Sequence, residues 1–238
     1  MHYLDLTLPS AAENLALDEA LLEEAEAAAT PTETLRLWEP RQPMVVVGRS
    51  SRVDVEVRLD ACRELGIPVL RRVSGGAAVV AGPGCLMYAL VLSYRLRPQL
   101  RVLSAAHRRV LDTWATALAP RAPGVRCCGT SDLAVGELKF SGNSARSRRD
   151  HLLYHGTLLY DFPLGLIGRC LAMPPRMPDY RAGRPHDGFV TNLPLDVETL
   201  RRVLLAAWDV RQGRINWPAQ HTARLVAEKY GRPEWNGC

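Results

Sequence analysis

Two stretches of this 238-residue chain bring together residue types that could act on an anion or a carbonyl. The first is Arg71-Arg72-Val73-Ser74-Gly75-Gly76-Ala77, where two cations precede a glycine pair. Gly75 and Gly76 carry no Cβ, so the backbone can take dihedrals closed to other residues and bring N–H groups close to a ligand. Arg71 and Arg72 offer planar forks of donors to a phosphate or carboxylate held beside them. The second stretch runs Asp132-Leu133, then Lys139-Phe140-Ser141-Gly142-Asn143-Ser144, then His155-Gly156-Thr157-Leu158-Leu159. Lys139 shares the chain with just one other lysine, Lys229, while the remaining permanent cations are arginines. A compact ammonium can be aimed at a single oxygen, and burial moves its pKa in a way that arginine does not show. Each stretch also has a plainer reading: a hairpin turn between solvated arginines, and a lysine guarding a sheet edge.

Three further features bear on chemistry. Cys127, in Cys127-Cys128-Gly129-Thr130-Ser131-Asp132, offers a thiol nucleophile, which acts only as a thiolate and otherwise reads as a buried strand residue. His155 could act as a general base or simply hold backbone geometry. Arg146, Arg148, Arg149 and Arg169 form a basic cluster near Lys139 that could meet nucleic acid, but no aromatic residues interleave with it as base stacking requires. The same rim suits acidic protein partners.

The elements that must position these groups are readable from periodicity and punctuation. His2 to Leu8 reads as a first strand, broken at Pro9-Ser10. Ser10 and Glu13 form a capping-box pattern for a helix over Ala11 to Ala28, with Glu23, Glu24 and Glu26 on a solvated face. Thr34 to Trp38, Met44 to Val47, Pro68 to Val73, Ala77 to Val80 and Leu86 to Tyr94 read as strands, with a short helix over Leu59 to Leu65 stopped by Gly66. Val102 to Leu118 has apolar residues at helical spacing and includes His107 as a surface histidine. Gly124 to Cys128, Asp132 to Val135, Leu138 to Ser141 and Leu152 to Tyr160 are further strands. Pro163 to Leu171 is a short helix, and a proline-containing loop leads from Pro174 to Leu193. Helices over Val197 to Val210 and His221 to Tyr230 follow. Strands and helices in irregular order, without βαβ alternation, indicate an α+β domain: a mixed, largely antiparallel sheet backed by helices.

Composition sets the bounds. With 47% hydrophobic and 23% charged residues the chain fits a soluble globular protein with a sizeable core. A net charge of +5 is too small to announce a nucleic-acid binder. Cys62, Cys85, Cys127, Cys128, Cys170 and Cys238 are scattered without metal-ligand spacing, so reduced thiols, a cytoplasmic location and no bound metal are expected. Asp5 in the first apolar run argues against a secretory signal, and the absence of a long apolar run argues against a spanning helix.

Arg-Arg-x-Ser-Gly-Gly-x-Ala-Val, Asp-Leu, Lys-x-Ser-Gly-x-Ser and His-Gly-Thr-Leu-Leu, in this order, resemble the catalytic domain of lipoate-protein ligases and octanoyltransferases. Asn14-Leu15-Ala16-Leu17-Asp18-Glu19, Leu35-Arg36-Leu37-Trp38, Thr191-Asn192-Leu193 and the Glu228-Lys229-Tyr230 to Trp235-Asn236 tail extend the likeness over nearly the whole chain. The resemblance implies a biotin/lipoate ligase-type fold over residues 1–238, with 216–238 as a helical tail. It also implies attachment of lipoyl or octanoyl groups to a lysine of a lipoyl carrier domain, such as the glycine-cleavage H protein or the acyltransferase subunit of a 2-oxoacid dehydrogenase. ATP with Mg2+ and lipoate or octanoate would be the small reactants. By the same resemblance Lys139 contacts the reacting carbonyl and phosphate oxygens. Arg72, Ser74, Gly75, Gly76, Ala77, Asp132, Ser141, Gly142, His155, Gly156 and Thr157 border the acyl group, walled by Val69-Leu70, Ala78 to Val80 and Leu86 to Leu92. Where many lipoate ligases carry a third glycine and a His-Asp pair, this chain has Ala77 and Ala81-Gly82. Gly82-Pro83-Gly84 is instead similar to a turn of octanoyltransferases. Cys127, five residues before Asp132, is similar to the nucleophilic cysteine of one amidotransferase branch, which would hold the acyl group as a thioester and need no ATP. No accessory domain is expected within the chain, so a separate subunit supplies it or the enzyme works without one. A non-catalytic nucleic-acid-binding regulator on the same fold is the reading of another class.

Overall fold

The computed structural model describes residues 1–210, 212–213 and 215–237; Cys238 lies outside them. β1 (His2–Asp5) is shorter than the sequence expectation because the backbone N–H and C=O of Leu8 are both tied to the side chain of Asn14, at 2.9 Å each. Ser10 then caps α1 (Ala11–Ala27), with Glu13 N donating to Ser10 Oγ and Ser10 N donating to Glu13 Oε2, the reciprocal pair that the spacing predicts.

Eight strands form the large sheet in the order β11-β1-β2-β6-β10-β9-β8-β7. These are β2 (Thr34–Trp38), β6 (Cys85–Ser93), β7 (Val125–Cys128), β8 (Asp132–Val135), β9 (Leu138–Ser147), β10 (His151–Leu159) and β11 (Gln212–Gly213), with β1. β1 runs parallel to β2 and β11, and every other pairing is antiparallel. A second sheet of β3 (Met44–Val47), β4 (Val69–Arg71) and β5 (Val79–Ala81) has the order β4-β3-β5. The expected mixed, largely antiparallel α+β architecture is what the chain adopts.

Side chains alternate across a strand, and the two faces of β6 and β10 therefore feed separate cores. Leu86, Tyr88, Leu90, Leu152, Tyr154 and Leu158 pack with α4 (Leu103–Leu118) and α6 (Val197–Ala207). Met87, Ala89, Val91, Leu153 and Leu159 pack on the other face with α1 and the three-stranded sheet. Around that second core lie α2 (Val53–Glu56), α3 (Leu59–Glu64), α5 (Gly165–Cys170), α7 (Ala219–Leu225) and α8 (Pro233–Asn236), with one π-helical turn at Val226–Tyr230 after α7.

Three local expectations are corrected. His107 is buried on α4, with Nδ1 2.9 Å from the Tyr154 hydroxyl, and burial lowers its pKa. The acidic face of α1 is a docking face: Glu23 meets Arg148 at 2.8 Å and His221 at 2.7 Å, and Glu26 accepts from Asp150 N at 2.8 Å. The strand after the glycine pair starts at Val79, because Ala77 O accepts from Arg72 and Ala78 N donates to Glu56 instead of to a ladder.

Candidate active site

The glycine loop is built by its own arginines. Arg72, buried, donates from Nε to Ser74 Oγ (3.1 Å), from Nη1 to Val46 O (3.1 Å) and from Nη2 to the carbonyls of Gly75 (2.5 Å) and Ala77 (3.0 Å). Burial pushes its pKa down to about 10, opposed by the charge of Glu56. The other loop carbonyls are held elsewhere: Ser74 O accepts from Arg49 N at 2.8 Å and Gly76 O from Ser51 Oγ at 3.0 Å. Among the described residues the N–H groups of Gly75, Gly76 and Ala77 meet no acceptor. Gly76 holds φ at +89°, where a side chain would be strained. A Cβ on Gly48 would sit 2.0 Å from the Gly76 carbonyl, so two glycines on separate turns permit one close approach.

Arg71 has a different task from the one the sequence suggests. Its Nη1 donates to the carbonyls of Gly48, Arg49 and Ser51, and its Nε to Trp235 O. It is almost wholly buried and binds the turn to the chain's last helix instead of facing a ligand.

Opposite the loop, Lys139 Nζ lies 2.7 Å from Asp132 Oδ1, and Asp132 Oδ2 accepts from the Tyr180 hydroxyl at 2.8 Å. The missing side chain of Gly142 makes room for the ammonium: a Cβ there would lie 3.0 Å from Nζ. Ser144, farther along β9, donates from Oγ to Gly75 O at 2.8 Å and so ties the lysine strand to the glycine loop. Asn143 crosses β10 at Gly156, where a Cβ would fall 1.9 Å from its Oδ1. Its Nδ2 donates to Ser131 O at 2.8 Å, and its Oδ1 accepts from the Tyr88 hydroxyl.

These groups surround one cavity of about 410 Å3. Arg72, Gly76, Ala77, Asp132, Lys139, Ser141, Gly142, His155, Gly156 and Thr157 all line it. Apolar walls come from Leu15, Val46, Ala78, Val79, Val80, Met87, Leu159, Ile167 and Leu171. Val69 and Leu70, expected as walls, stand outside the lining, and of β6 only Met87 contributes; Leu70 packs into the core instead. Ser74 and Gly75 also stand behind the lining: Ser74 Oγ is held between Arg72 Nε and His155 Nε2, the latter at 2.5 Å, and Gly75 O between Arg72 and Ser144. His155 Nδ1 lies 3.6 Å from Asp18, whose other oxygen pairs at 2.6 Å with buried Arg36. His155 therefore braces the loop through Ser74.

Cys127 lies elsewhere. Its register partner is Leu133, and its Sγ turns toward Asp112 of α4, 3.4 Å away. Partial burial and the Asp112 carboxylate push the thiol up to about 12. Of the basic cluster, Arg148 is paired with Glu23 and Arg149 with Asp150. Asn143, Ser144, Tyr88, Gly48 and Tyr180 are site components that sequence reasoning did not single out. Asn143 and Ser144 stood inside the quoted Lys139 motif, whereas nothing local marks Gly48 or Tyr180.

Comparison with known proteins finds relatives that span nearly the whole chain. The family described as "Lipoyl protein ligase A/B catalytic domain" matches residues 10–207. A candidate lipoate-protein ligase A of Aeropyrum pernix is 32% identical over 225 residues, covering 93% of this chain and 76% of its own. Octanoyltransferase LipM of Symbiobacterium thermophilum is 28% identical over 259 residues, covering 94% and 93% respectively. A bi-partite lipoate protein ligase of Thermoplasma acidophilum, from a study with its E2 lipoyl domain, superposes with a TM-score of 0.85 at 21% identity, covering 99% of this chain and 95% of that one.

Proposed function

The chain belongs to the lipoyl protein ligase A/B catalytic-domain family and is an enzyme of lipoate-protein ligase or octanoyltransferase type, and from that premise we propose that it is an ATP-dependent ligase. On this reading it joins lipoate or octanoate to a lysine of a lipoyl carrier domain. The observation that supports it most is that Lys139 lines the same apolar-walled cavity as Gly76 and Ala77, whose N–H groups meet no acceptor among the described residues.

In the first step the carboxylate of the acyl substrate attacks the α-phosphorus of ATP and pyrophosphate leaves. In the second the neutral amine of the carrier lysine attacks the acyl carbonyl, AMP departs with the bonding pair of the C–O bond, and the amine gives up a proton. The first step builds negative charge on the α-phosphate and pyrophosphate oxygens, and the second on the acyl carbonyl oxygen and the departing phosphate. An ammonium fixed by Asp132, beside the unengaged N–H groups of Gly76 and Ala77, is preorganised for that charge and need not reorganise as the reaction proceeds. The Leu15, Val79, Met87 and Ile167 side of the cavity takes the hydrocarbon chain. At about 0.8 kcal/mol per buried CH2, an eight-carbon tail contributes on the order of 5 kcal/mol of binding. Among the described residues no group of three or more His, Cys, Asp or Glu side chains could hold a metal. On this reading Mg2+ arrives on the nucleotide phosphates, a common mode for this ion.

Thiol-dependent transfer is the second reading, favoured by the octanoyltransferase relative that this chain covers over 93% of its length. Against it stand the position of Cys127 outside the cavity lining and its raised pKa. Incubation with ATP, Mg2+, octanoate and an apo lipoyl domain separates the two. The ligase reading expects AMP and a carrier heavier by one octanoyl group. ATP-independent transfer from an octanoylated carrier, with a hydroxylamine-labile adduct on Cys127, would overturn it.

A further inference from the structure

Lys139 is held from two directions by one segment of chain. On the backbone side, Lys139 N donates to Phe189 O and Thr191 N donates to Lys139 O, both at 2.9 Å, so 189–191 runs beside the lysine as a short parallel bridge. On the side-chain side, the Tyr180 hydroxyl reaches Asp132 Oδ2 at 2.8 Å while Asp132 Oδ1 holds the ammonium. Both contacts come from the proline-containing stretch between α5 and α6. That stretch also contributes Pro174, Met177 and Arg181 to the cavity wall.

From this double attachment we infer that Tyr180 is a positioning residue: its hydroxyl fixes the Asp132 carboxylate, and through it the direction of Lys139. This deepens the ligase reading and rests on it for the catalytic consequence, though not for the geometry.

Several features show that the seat of Tyr180 is built. Gly129, at φ +53°, leaves the space that Tyr180 and Pro178 occupy: a Cβ on Gly129 would lie 3.1 Å from Pro178 Cβ and 3.5 Å from Tyr180 Cε1. The Tyr180 ring packs on Phe189 with centroids 5.1 Å apart. Arg184 donates to the Tyr180 carbonyl at 2.8 Å and to the Glu137 carbonyl at 3.1 Å, anchoring the turn to the start of the lysine strand. Burial and the neighbouring Asp132 charge raise the phenol pKa, so the hydroxyl remains a proton donor at neutral pH. A carboxylate oxygen without this donor could rotate, and the ammonium would follow it. Serving as one side of an ion pair leaves Asp132 a single geometry only while its second oxygen is fixed.

The chain's two lysines make the test direct, because Lys229, paired with Glu19 at 2.8 Å, serves as an internal control. In Tyr180→Phe the lysine-selective 13C spectrum is expected to shift the Lys139 Cε signal and leave Lys229 unmoved, at unchanged melting temperature. The lost hydrogen bond to a charged group corresponds to about a 10- to 100-fold fall in kcat for octanoylation of an apo lipoyl domain, with KM for octanoate within about twofold. Tyr180→Phe made in an Asp132→Asn background should add nothing, since both act on the same orientation. An unmoved Lys139 signal in Tyr180→Phe overturns the inference whether or not the protein proves to be a ligase. A moved signal with unchanged kcat, or a loss confined to KM, overturns its catalytic part. Failure of wild-type protein to acylate sinks the ligase reading alone.

Discussion

At the scale of single residues, the site depends on a charge that is aimed and on donors that are spared. Lys139→Gln keeps a hydrogen-bonding tip but removes the charge. Loss of one preorganised donor of this kind typically costs 100- to 1000-fold in kcat, roughly 3 to 4 kcal/mol of transition-state stabilisation. Acylation of a lipoyl domain under saturating ATP is expected to fall by about that amount while octanoate still binds, because the apolar walls are untouched. Equal losses in octanoate binding and in kcat would mean that Lys139 only shapes the pocket. Cys127 yields the opposite expectation. It is exposed, yet its thiol is pushed up to about 12 by partial burial and by Asp112. The thiolate is the form that reacts, so at pH 7.5 iodoacetamide should modify Cys127 at least about tenfold more slowly than it does free cysteine, and the rate should climb as pH rises toward the thiol pKa. Rapid labelling at neutral pH, read by peptide mapping, would remove the argument against a thioester route.

At the scale of elements, what the sequence disclosed and what it hid divide along chain separation. The capping box of α1, the glycine pair and the lysine motif are local patterns, and each forms where its spacing places it. The fate of Arg71 was hidden because none of its partners is local and those in the tail stand 164 and 165 residues away: Arg71 N donates to Asn236 Oδ1, Trp235 Nε1 donates to Arg71 O, and Arg71 Nε donates to Trp235 O. α8 thus completes β4 as a side-chain-made strand edge, and β4 carries the glycine loop. Asn14, Asp18 and Glu19 of α1 look like a functional motif in sequence, but the first two hold Arg36, and Glu19 holds Lys229 and Tyr230. Their work is to fix α1 under the cavity floor, which Leu15 and Asp18 reach. Asn236→Ala leaves the Arg71 amide without its acceptor, at a cost of about 1 to 3 kcal/mol for a group that water does not fully replace. A lower melting temperature is expected, together with faster amide hydrogen exchange across 71–77, while exchange in α4 keeps its rate. Uniform acceleration over the whole chain would show that the tail stabilises the fold as a unit and not the loop in particular.

At the scale of the molecule, the eight-stranded sheet separates two kinds of apolar packing that sequence periodicity cannot tell apart. On β6, residues 86, 88, 90 and 92 enter the core under α4 and α6, and residues 87, 89 and 91 enter the one under α1. The second core opens into the cavity through Met87, Leu159 and Ile167, whereas Phe140 is the one buried residue of the first core that reaches it. Stability and substrate size should therefore respond to different faces of the same strands. Trp114, fully buried on α4, makes edge contacts with Tyr88 at 5.2 Å and with Trp208 at 5.7 Å. Trp114→Ala opens a cavity and is expected to cost about 3 to 5 kcal/mol of stability, lowering the urea midpoint while leaving KM for octanoate within a few-fold in the folded fraction. Met87→Trp adds bulk where the tail of the acyl chain lies. It is expected to raise KM for octanoate at least tenfold, because about two excluded methylenes at 0.8 kcal/mol each already correspond to that factor, while a four-carbon acid keeps its KM. If Met87→Trp affects the short and long acids alike, the chain does not run between β5, β6 and α5. The apolar half of the cavity would then hold something other than the hydrocarbon tail.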